Sequence, residues 1–409
     1  MTGQATTRAP AHARRLSRGE FIALMGMIFA TVAFSIDAML PALPDIATAL
    51  TPEAPNLAQL VLTSFLIGLG VGTLFTGPLS DVFGRKPVMM AGAVLYIIGT
   101  LLAWSAASLE WLLAARVLQG LGAAGPRVVA TAIIRDLYSG RQMAQIVSFA
   151  MLIFTIFPAV APMIGAAIIW GFGWRAIFLA FLIFSVISVG WLMLRQPETL
   201  PKPARRPFSA ATIRAALVEA LSLKQMQFSI LVQTLIFGCL FGTISSIQPI
   251  FDTTYGLNDS FPYWFAAIAA VAAPAAPING TLVMRLGMRP LVRRALVTQV
   301  VGSLSIAALI GVFSLGAAEF WLFFAWCISL FALAGFTIGN LNALALEPLG
   351  HIAGMAASVM GALATVGGAA IGAVIGQVFD GTPLPLLLGC ALCSGAGAWI
   401  MRSMPREAI

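Results

Sequence analysis

Long apolar runs with almost no charge are the feature that most constrains this chain. Segments of about 20 residues, each long enough to cross the hydrocarbon core of a bilayer, follow one another along the sequence. Charged residues make up 9% of the chain and hydrophobic residues 60%. Soluble domains carry about 25% charged residues. No soluble core could bury this much apolar surface, so the sequence predicts an integral membrane protein.

Twelve apolar runs reach spanning length. They lie at 21–43, 57–79, 87–108, 110–134, 142–170, 174–194, 226–251, 262–284, 290–314, 318–346, 353–379 and 384–402. The first is too long for the apolar core of a cleaved signal peptide, so we predict that it is retained as the first helix. The runs at 142–170 and 318–346 exceed the length of a simple span, which predicts tilt or a kink there.

The basic residues indicate the orientation of these spans. With the N-terminus in the cytoplasm, 20 of the 23 Lys and Arg residues fall in cytoplasmic segments. Of the other three, Arg175 lies in an outer loop, and Arg116 and Arg127 lie within the fourth span. This is the positive-inside pattern, which predicts cytoplasmic termini and an even number of helices. The net charge of +8 is thereby assigned to topology and not to nucleic-acid binding.

A cytoplasmic segment rich in Pro and basic residues divides the chain into six spans plus six. The predicted order is a cytoplasmic tail (1–20), a first six-helix bundle (21–195), a cytoplasmic central loop (196–224), a second six-helix bundle (225–402) and a cytoplasmic tail (403–409).

The two halves repeat a short motif. "GPLSDVFGRKP" (77–87) follows the second span, and "GTLVMRLGMRP" (280–290) follows the eighth. Gly, Leu, Gly, a basic residue and Pro recur at the same offsets, while Asp81 of the first copy is replaced by Met284 in the second. Two related six-helix halves are typical of a transporter whose binding site lies between them.

Two motifs carry a resemblance to a known family. "GPLSDVFGRKP" resembles the loop 2–3 signature of the major facilitator superfamily, G-x-L-x-D-(R/K)-x-G-R-(R/K), with Val82 where a basic residue is usual. "SIDAMLPALPDIA" (35–47) resembles the first helix of the Bcr/CflA drug-resistance branch.

Two further motifs resemble those of drug:proton antiporters. "RVLQGLGAAGPR" (116–127) is similar to their fourth-helix signature, R-x-x-Q-G-x-G-A-A. "PAVAPMIGAA" (158–167) is a degraded form of their fifth-helix signature, and the resemblance assigns Pro158, Pro162 and Gly165 to it.

The resemblance implies an all-α integral membrane protein of twelve transmembrane helices in two pseudo-symmetric six-helix bundles. It further implies proton-coupled efflux of small amphipathic or hydrophobic compounds by alternating access, across the cytoplasmic (inner) membrane of a bacterium. Bicyclomycin and chloramphenicol-type drugs are among the substrates of the branch.

Ionisable residues inside a membrane are costly, so each suggests a function. Asp37 and Arg116 both lie about 8–9 Å below the outer surface, at about 1.5 Å per helical residue. Equal depth permits pairing. We expect Asp37 to carry the coupling proton beside Arg116, because burial and a neighbouring cation act on a carboxyl in opposite directions. The alternative is a structural ion pair that holds two helices in register.

Arg127 follows Arg116 by eleven residues, which places both within about 20° on one helical face. Gln119 lies near that face. The pattern predicts a cationic stripe that contacts substrate or a gate. The alternative for Arg127 is a side chain that snorkels toward the cytoplasm or pairs with a helix end.

Other spans offer apolar and amide side chains for a binding pocket, in which a few polar groups orient an apolar ligand. The candidates are Phe34, Phe154, Phe157, Gln233, Phe237, Phe241 and Asn340. The alternative for each aromatic residue is ordinary core packing.

The turn at 77–87 is expected to act as a cytoplasmic latch. Gly77 and Gly84 permit close approach of backbones, and Arg85 has a candidate partner in Asp136. The resemblance implies that Asp81 meets the positive N-terminal end of helix eleven. We expect these interactions to hold the halves together in the outward-open state.

Two other functions remain open from the sequence. The same fold could run as a proton-coupled importer of a small metabolite, with anionic or zwitterionic compounds among the candidates, or serve as a receptor without transport. A P-loop, H-E-x-x-H and G-x-S-x-G are all absent, so we expect neither an enzyme nor a cofactor. Cys390 and Cys393 are expected to pack in a helix and not to bind metal. The expected partners are a small-molecule substrate, protons and membrane lipids, around a monomer.

Overall fold

The computed structural model describes residues 16–205, 210–313 and 315–404. Parts of the predicted tails, 1–15 and 405–409, lie outside the described residues. Within these ranges the chain is helical, without β-strands. The helices are α1 (Arg18–Asp37), α2 (Leu43–Leu50), α3 (Leu60–Phe83), α4 (Arg85–Trp104), α5 (Leu109–Leu137), α6 (Gly140–Phe172), α7 (Ala176–Arg195), α8 (Ala210–Ser222), α9 (Lys224–Pro249), α10 (Phe261–Ala272), α11 (Ala275–Leu286), α12 (Met288–Val312), α13 (Ala317–Leu346), α14 (Ala353–Gln377) and α15 (Leu384–Ser403).

The twelve predicted spans are present. Ten described stretches are long and apolar enough to cross a membrane. One of them, Ala317–Gln377, contains two helices, α13 and α14. Helix α6 supplies the twelfth span with 33 residues. At about 1.5 Å per residue α6 is about 50 Å long, so it tilts or projects beyond the bilayer.

The eighth span differs from its prediction. The apolar run at 262–284 predicts one helix, whereas α10 ends at Ala272 and α11 begins at Ala275. Pro274 lies at this break and caps α11. Proline has no backbone N–H to donate, and its ring clashes with the preceding helical turn. The central loop also contains a helix, α8, that the sequence analysis does not predict.

The two halves of the chain meet along two pairs of helices. Helix α3 packs along α14, and α6 packs against α10. Glycine brings α3 close to its partner, because a Cβ on Gly70 would lie 2.7 Å from Val366 Cγ2. Small residues at such contacts allow membrane helices to pack closely.

The halves are joined at their outer ends. Asn56 Nδ2 donates to the carbonyl oxygens of Gln377 at 3.3 Å and Phe379 at 2.8 Å. Gln377 Nε2 in turn donates to Asn56 O at 2.8 Å. We call the contacts of Asn56 with Gln377 and Phe379 the outer seal.

The inner end of the eighth span is exposed. Of the described residues of α11, only Ala275 is buried. Met284 is 85% exposed and Ile278 46% exposed. Helix α6 of the first half packs on α10, the outer half of this span, whereas α11 packs on α12 and α13 of its own half. The halves are thus joined at their outer ends, which is an inward-facing arrangement.

Candidate transport site and cytoplasmic latch

Asp37 is the last residue of α1, and its side chain is buried, with 5% of its surface exposed. Its carboxylate forms no hydrogen bond or ion pair with any described residue. A charge in such a place is costly unless it is paired or neutralised by a proton. Asp37 is therefore a buried acid that has no fixed protein partner in this arrangement.

Helix α6 packs closely against the backbone beside Asp37. A Cβ on Gly165 would overlap the carbonyl oxygen of Ala38, the residue that caps α1. Pro158 and Pro162 lie inside the same helix. The three residues that the sequence assigns to an antiporter motif are thus on α6, and Gly165 is in contact with the end of α1.

Arg116 is fully buried in α5 and is held by neutral acceptors. Its Nε donates to Val61 O at 3.1 Å, its Nη1 to Gln119 Oε1 at 2.6 Å and its Nη2 to Ser35 O at 3.0 Å. The guanidinium also lies over the Phe65 ring, 4.5 Å from its centroid, an arrangement that favours a cation.

The bonds around Arg116 extend into a network. Gln119 Nε2 donates to Thr100 Oγ1 at 2.8 Å, and the hydroxyls of Ser35 and Tyr96 are 2.6 Å apart. We call Ser35, Tyr96, Thr100, Arg116 and Gln119 the arginine network. It joins α1, α4 and α5 inside the first half.

The expected pairing of Asp37 with Arg116 is wrong for this arrangement. No ion pair joins them among the described residues, and the guanidinium of Arg116 bonds to Val61, Ser35 and Gln119 instead. The bond to Ser35 O fixes the backbone of α1 two residues before Asp37. Arg116 therefore positions the end of α1 rather than neutralising the carboxylate.

The predicted cationic stripe of Arg116, Gln119 and Arg127 is not continuous in the structure. Arg116 and Gln119 are turned into the arginine network and are fully buried. Arg127, one residue after Pro126 of α5, is partly exposed, and its side chain forms no hydrogen bond or ion pair with a described residue. Arg127 is the member of the stripe that remains available to another molecule.

The predicted pocket aromatics of the first half pack with one another. The Phe34 ring is 5.2 Å from those of Phe181 and Phe184 and 6.3 Å from that of Phe157. Phe34 is only 5% exposed. The side chain of Phe154 lies outside the described residues. Phe34 is thus part of the core here, as the packing alternative expects.

The predicted aromatics of the second half lie at a helix interface. Phe237 and Phe241 of α9 have ring centroids 5.2 Å apart. Their Cβ atoms approach Gly368 and Gly372 of α14, where added side chains would overlap them. These two residues pack α9 against α14.

Two predicted amides differ in their bonding. Asn340 Nδ2 donates to Asn279 Oδ1 at 2.8 Å and to Phe336 O at 2.9 Å, so it links α13 to α11. Gln233 is 3% exposed, and its Oε1 has no hydrogen-bond partner among the described residues. Asn340 is committed to the second bundle, whereas Gln233 keeps a buried acceptor unused.

Arg85 is the centre of the cytoplasmic turn. Its Nη1 bonds to Asp81 Oδ1 at 2.6 Å and to Ser80 Oγ at 2.7 Å, and its Nε bonds to Asp136 Oδ2 at 2.9 Å. Gly84 has a φ of 102°, which L-residues with a Cβ rarely adopt. The positive φ lets α3 turn directly into α4, which brings Arg85 back over Asp81.

The central loop docks on this turn, which the sequence analysis does not predict. The backbone N–H groups of Arg85 and Lys86 donate to the two carboxylate oxygens of Glu198, each at 3.0 Å. Thr199 Oγ1 donates to Asp136 Oδ2 at 2.9 Å. A carboxylate that accepts hydrogen bonds from the free N–H groups at a helix N-terminus stabilises that helix. The pattern P-E-T-L just after a span was the available signal.

Comparison with known proteins decides the family. Residues 23–375 match the sequence model of the Major Facilitator Superfamily. The chain belongs to the Major Facilitator Superfamily. As a member, it is a multi-pass membrane transporter of small molecules and not an enzyme.

Relatives within the superfamily agree with the Bcr/CflA-like resemblance. A bicyclomycin resistance protein homolog of Haemophilus influenzae is 30% identical over 280 residues, which cover 68% of this chain and 70% of that protein. The transporter YdgK of Bacillus subtilis is 31% identical over 68% of this chain and 70% of its own length. Multidrug resistance protein D of Escherichia coli is 36% identical over 41% of this chain and 42% of its own length.

Solved structures of the superfamily share the fold. A D-xylose-proton symporter superimposes with a TM-score of 0.75 at 16% identity, over 95% of this chain and 98% of that one. A partially occluded inward-open form of the xylose transporter XylE from Escherichia coli gives a TM-score of 0.73 at 12% identity, over 96% of this chain and 98% of that one.

The latch expected from the superfamily resemblance needs two corrections. Helix eleven of the expectation is α14. Its N-terminus has no side-chain cap, and Asp81 bonds to Arg85 instead. The Arg85–Asp136 pair joins α4 to α5, both in the first half, so it does not tie the halves together. The two halves approach each other here through Gly77, where a Cβ would lie 3.1 Å from Ser358 Oγ.

Proposed function

We propose that this transporter exports small amphipathic or hydrophobic compounds in exchange for protons, across the cytoplasmic membrane of a bacterium, by alternating access. Relatives named for bicyclomycin and multidrug resistance support the substrate class and direction. The arrangement of two halves around one opening supports alternating access by a single chain, a monomer.

The burial of Asp37 without a described partner is the observation that supports proton coupling. It is a buried carboxyl with no described partner, at the point where α1 ends beneath the outer seal. A carboxyl that no cation neutralises must bind a proton to stay buried, so Asp37 takes up a proton while the outer side is open and releases it to the cytoplasm once the inner side is open. Protonation of Asp37 thus links closure of the outer side to proton binding.

Arg127 supplies a polar contact for the substrate or a gate. It is the one member of the predicted stripe without a described partner, and it lies below the arginine network toward the cytoplasm. An unpaired cation on the inner part of α5 favours compounds with an acceptor or an anionic group at one end. Gln233 Oε1 of the other half offers an unused acceptor, which complements the donors of Arg127.

Asp37→Asn is the direct test. The amide keeps the size of the side chain and cannot exchange a proton, so we expect drug accumulation driven by a pH gradient in proteoliposomes to fall to background. A pump-deficient bacterium that expresses the variant should lose its added drug resistance. Glu53→Gln is the matched control, because Glu53 is an exposed acid of the first outer loop and should leave both readouts unchanged.

Two results would contradict the proposal. Accumulation by Asp37→Asn against a substrate gradient, driven by the pH gradient alone, would remove Asp37 as the proton site. Proton-driven uptake of a metabolite, with no resistance to any drug of a broad panel, would instead establish an importer.

A further inference from the structure

We propose that a groove at the outer end of the first half binds one phospholipid of the outer leaflet, with its phosphate on Arg175 and an acyl chain along α7. We call it the outer groove. It is independent of the transport site proposed above.

The outer groove is an open, shallow cavity of about 450 Å³. Its lining residues are Trp104 at the end of α4, Ile168 and Phe172 near the end of α6, and Arg175, Ala176, Leu179, Ala180 and Ile183 at the start of α7. Apart from Arg175 the lining side chains are apolar or aromatic. The cavity therefore combines one cation with an apolar wall, the two chemistries of a phospholipid.

The dimensions fit an acyl chain below a headgroup. Arg175, which precedes α7, and Ile183 within it are eight residues apart, which is about 12 Å along the helix axis. One leaflet contributes about half of the 30 Å hydrocarbon core. The groove thus runs from the outer surface through most of one leaflet.

Arg175 is exposed at the top of the groove, and two contacts orient its guanidinium. Its Nη2 donates to Ala106 O at 3.0 Å. Its guanidinium lies over the ring of Trp174, 4.2 Å from the centroid, and Trp174 is itself 7% exposed. The guanidinium makes no other hydrogen bond to a described residue, so its remaining N–H groups are available. A planar guanidinium held in this way suits two bonds to one phosphate.

Charge on the outer face singles out the same place. Arg175 is the only Lys or Arg in the outer segments of the sequence. The acids of those segments are Asp45, Glu53, Glu110, Asp252, Asp259, Glu319 and Asp380. An anion near this face is repelled elsewhere and attracted at Arg175. The attraction and the apolar wall coincide, which favours a phospholipid over free phosphate or a neutral detergent.

The groove faces lipid and not the space between the halves. Trp104 is 44% exposed, Ile183 56% and Phe172 83%, all in the first bundle. The contacts between the halves are made by other helices and by α6 toward α10. A molecule in this groove reaches it from the membrane.

Native mass spectrometry of the full chain, purified in mild detergent and titrated with phosphatidylglycerol, tests the site. We expect Arg175→Gln to weaken binding of the first lipid about tenfold, the loss of a charged hydrogen bond. Leu179→Trp fills the groove without touching the contacts of Arg175, and we expect a loss of the same size. The matched controls are Arg402→Gln, an exposed arginine at the inner end of α15, and Leu392→Trp, a lipid-facing leucine that is 75% exposed; both should bind as the unaltered chain does.

Three outcomes would overturn the proposal. Equal binding by the unaltered chain, Arg175→Gln and Leu179→Trp would exclude the site. Loss in Arg175→Gln alone would reduce it to a phosphate contact without a groove, and loss in Leu179→Trp alone would indicate an apolar additive. If thermal melting shows that Arg175→Gln is unfolded, lipid binding by Leu179→Trp is compared with that by Leu392→Trp, and equal binding by the two would exclude the site.

Discussion

At the scale of single residues, Arg116 and Asp37 show how a membrane interior treats opposite charges. Arg116 is satisfied by carbonyl and amide oxygens and an aromatic face, and Asp37 has no described partner. A pair of charges would neutralise both, but it would also fix both in one state. Because the two are not paired with each other, Arg116 can remain a permanent structural cation while Asp37 can still gain or lose a proton.

Arg116→Lys is therefore expected to destabilise the protein. A lysine cannot reach Val61 O, Ser35 O and Gln119 Oε1 together, and each lost charged hydrogen bond costs about 1.5–3 kcal/mol. The melting temperature in detergent should fall clearly. Arg127→Lys is the control, since Arg127 has no described partner to lose. Equal melting temperatures for the two variants would contradict the role of the arginine network.

At the scale of elements, glycine and proline decide how helices end and approach. Gly165 lets α6 lie against Ala38, and Gly84 lets α3 turn into α4. Pro274 breaks the eighth span into α10 and α11. The prolines inside α6, by contrast, leave it a single element of 33 residues. The sequence marks these positions, but only the packing shows which of them bring two helices together.

Gly165→Ala should disrupt the contact between α6 and α1. The added methyl group overlaps the carbonyl oxygen of Ala38, a backbone atom that cannot rotate away. We expect transport to be lost and the melting temperature to fall. Gly171→Ala is in the same helix with nothing within 4 Å of its Cβ. It should be neutral or slightly stabilising, because alanine favours a helix by up to about 1 kcal/mol over glycine. Normal transport by Gly165→Ala would show that the close contact is dispensable.

At the scale of the whole molecule, the outer seal sets which side is open. The Asn56 amide bonds across the halves to Gln377 O and Phe379 O. These bonds exist only while the outer ends are together. They stabilise the inward-facing arrangement by the free energy of these hydrogen bonds, because the outward-facing arrangement lacks them.

Asn56→Ala should move the molecule toward the outward-facing state. Two neutral hydrogen bonds are worth about 1–3 kcal/mol together, or roughly a 5- to 150-fold change in the equilibrium. Distances between spin labels at positions 53 and 259, one in each half, would report the shift. Asn258→Ala is the control, because Asn258 bonds to Gln248 within the second half. An unchanged distance distribution in Asn56→Ala would exclude the seal.

Features that depend on local patterns can be predicted from the sequence, whereas contacts between distant residues cannot. The twelve spans, their orientation and the repeated turn follow from the sequence alone, because hydropathy and basic charge act locally on each segment. The ion pair of Arg85 with Asp136 is also present as expected. The docking of Glu198 on the start of α4 and the break at Pro274 are only weakly marked in the sequence, the first by P-E-T-L and the second by a single proline.

The partners of Arg116 were decided only by the tertiary structure. Its acceptors include the carbonyl oxygens of Val61 and Ser35, which are 55 and 81 residues away in the chain. Every residue has a carbonyl oxygen, so no side chain in the sequence marks these two as acceptors. The sequence determined that charges had to be accommodated inside the membrane, and the packing of α1, α3 and α5 determined that the arginine is paired with backbone while Asp37 is left for the proton we propose.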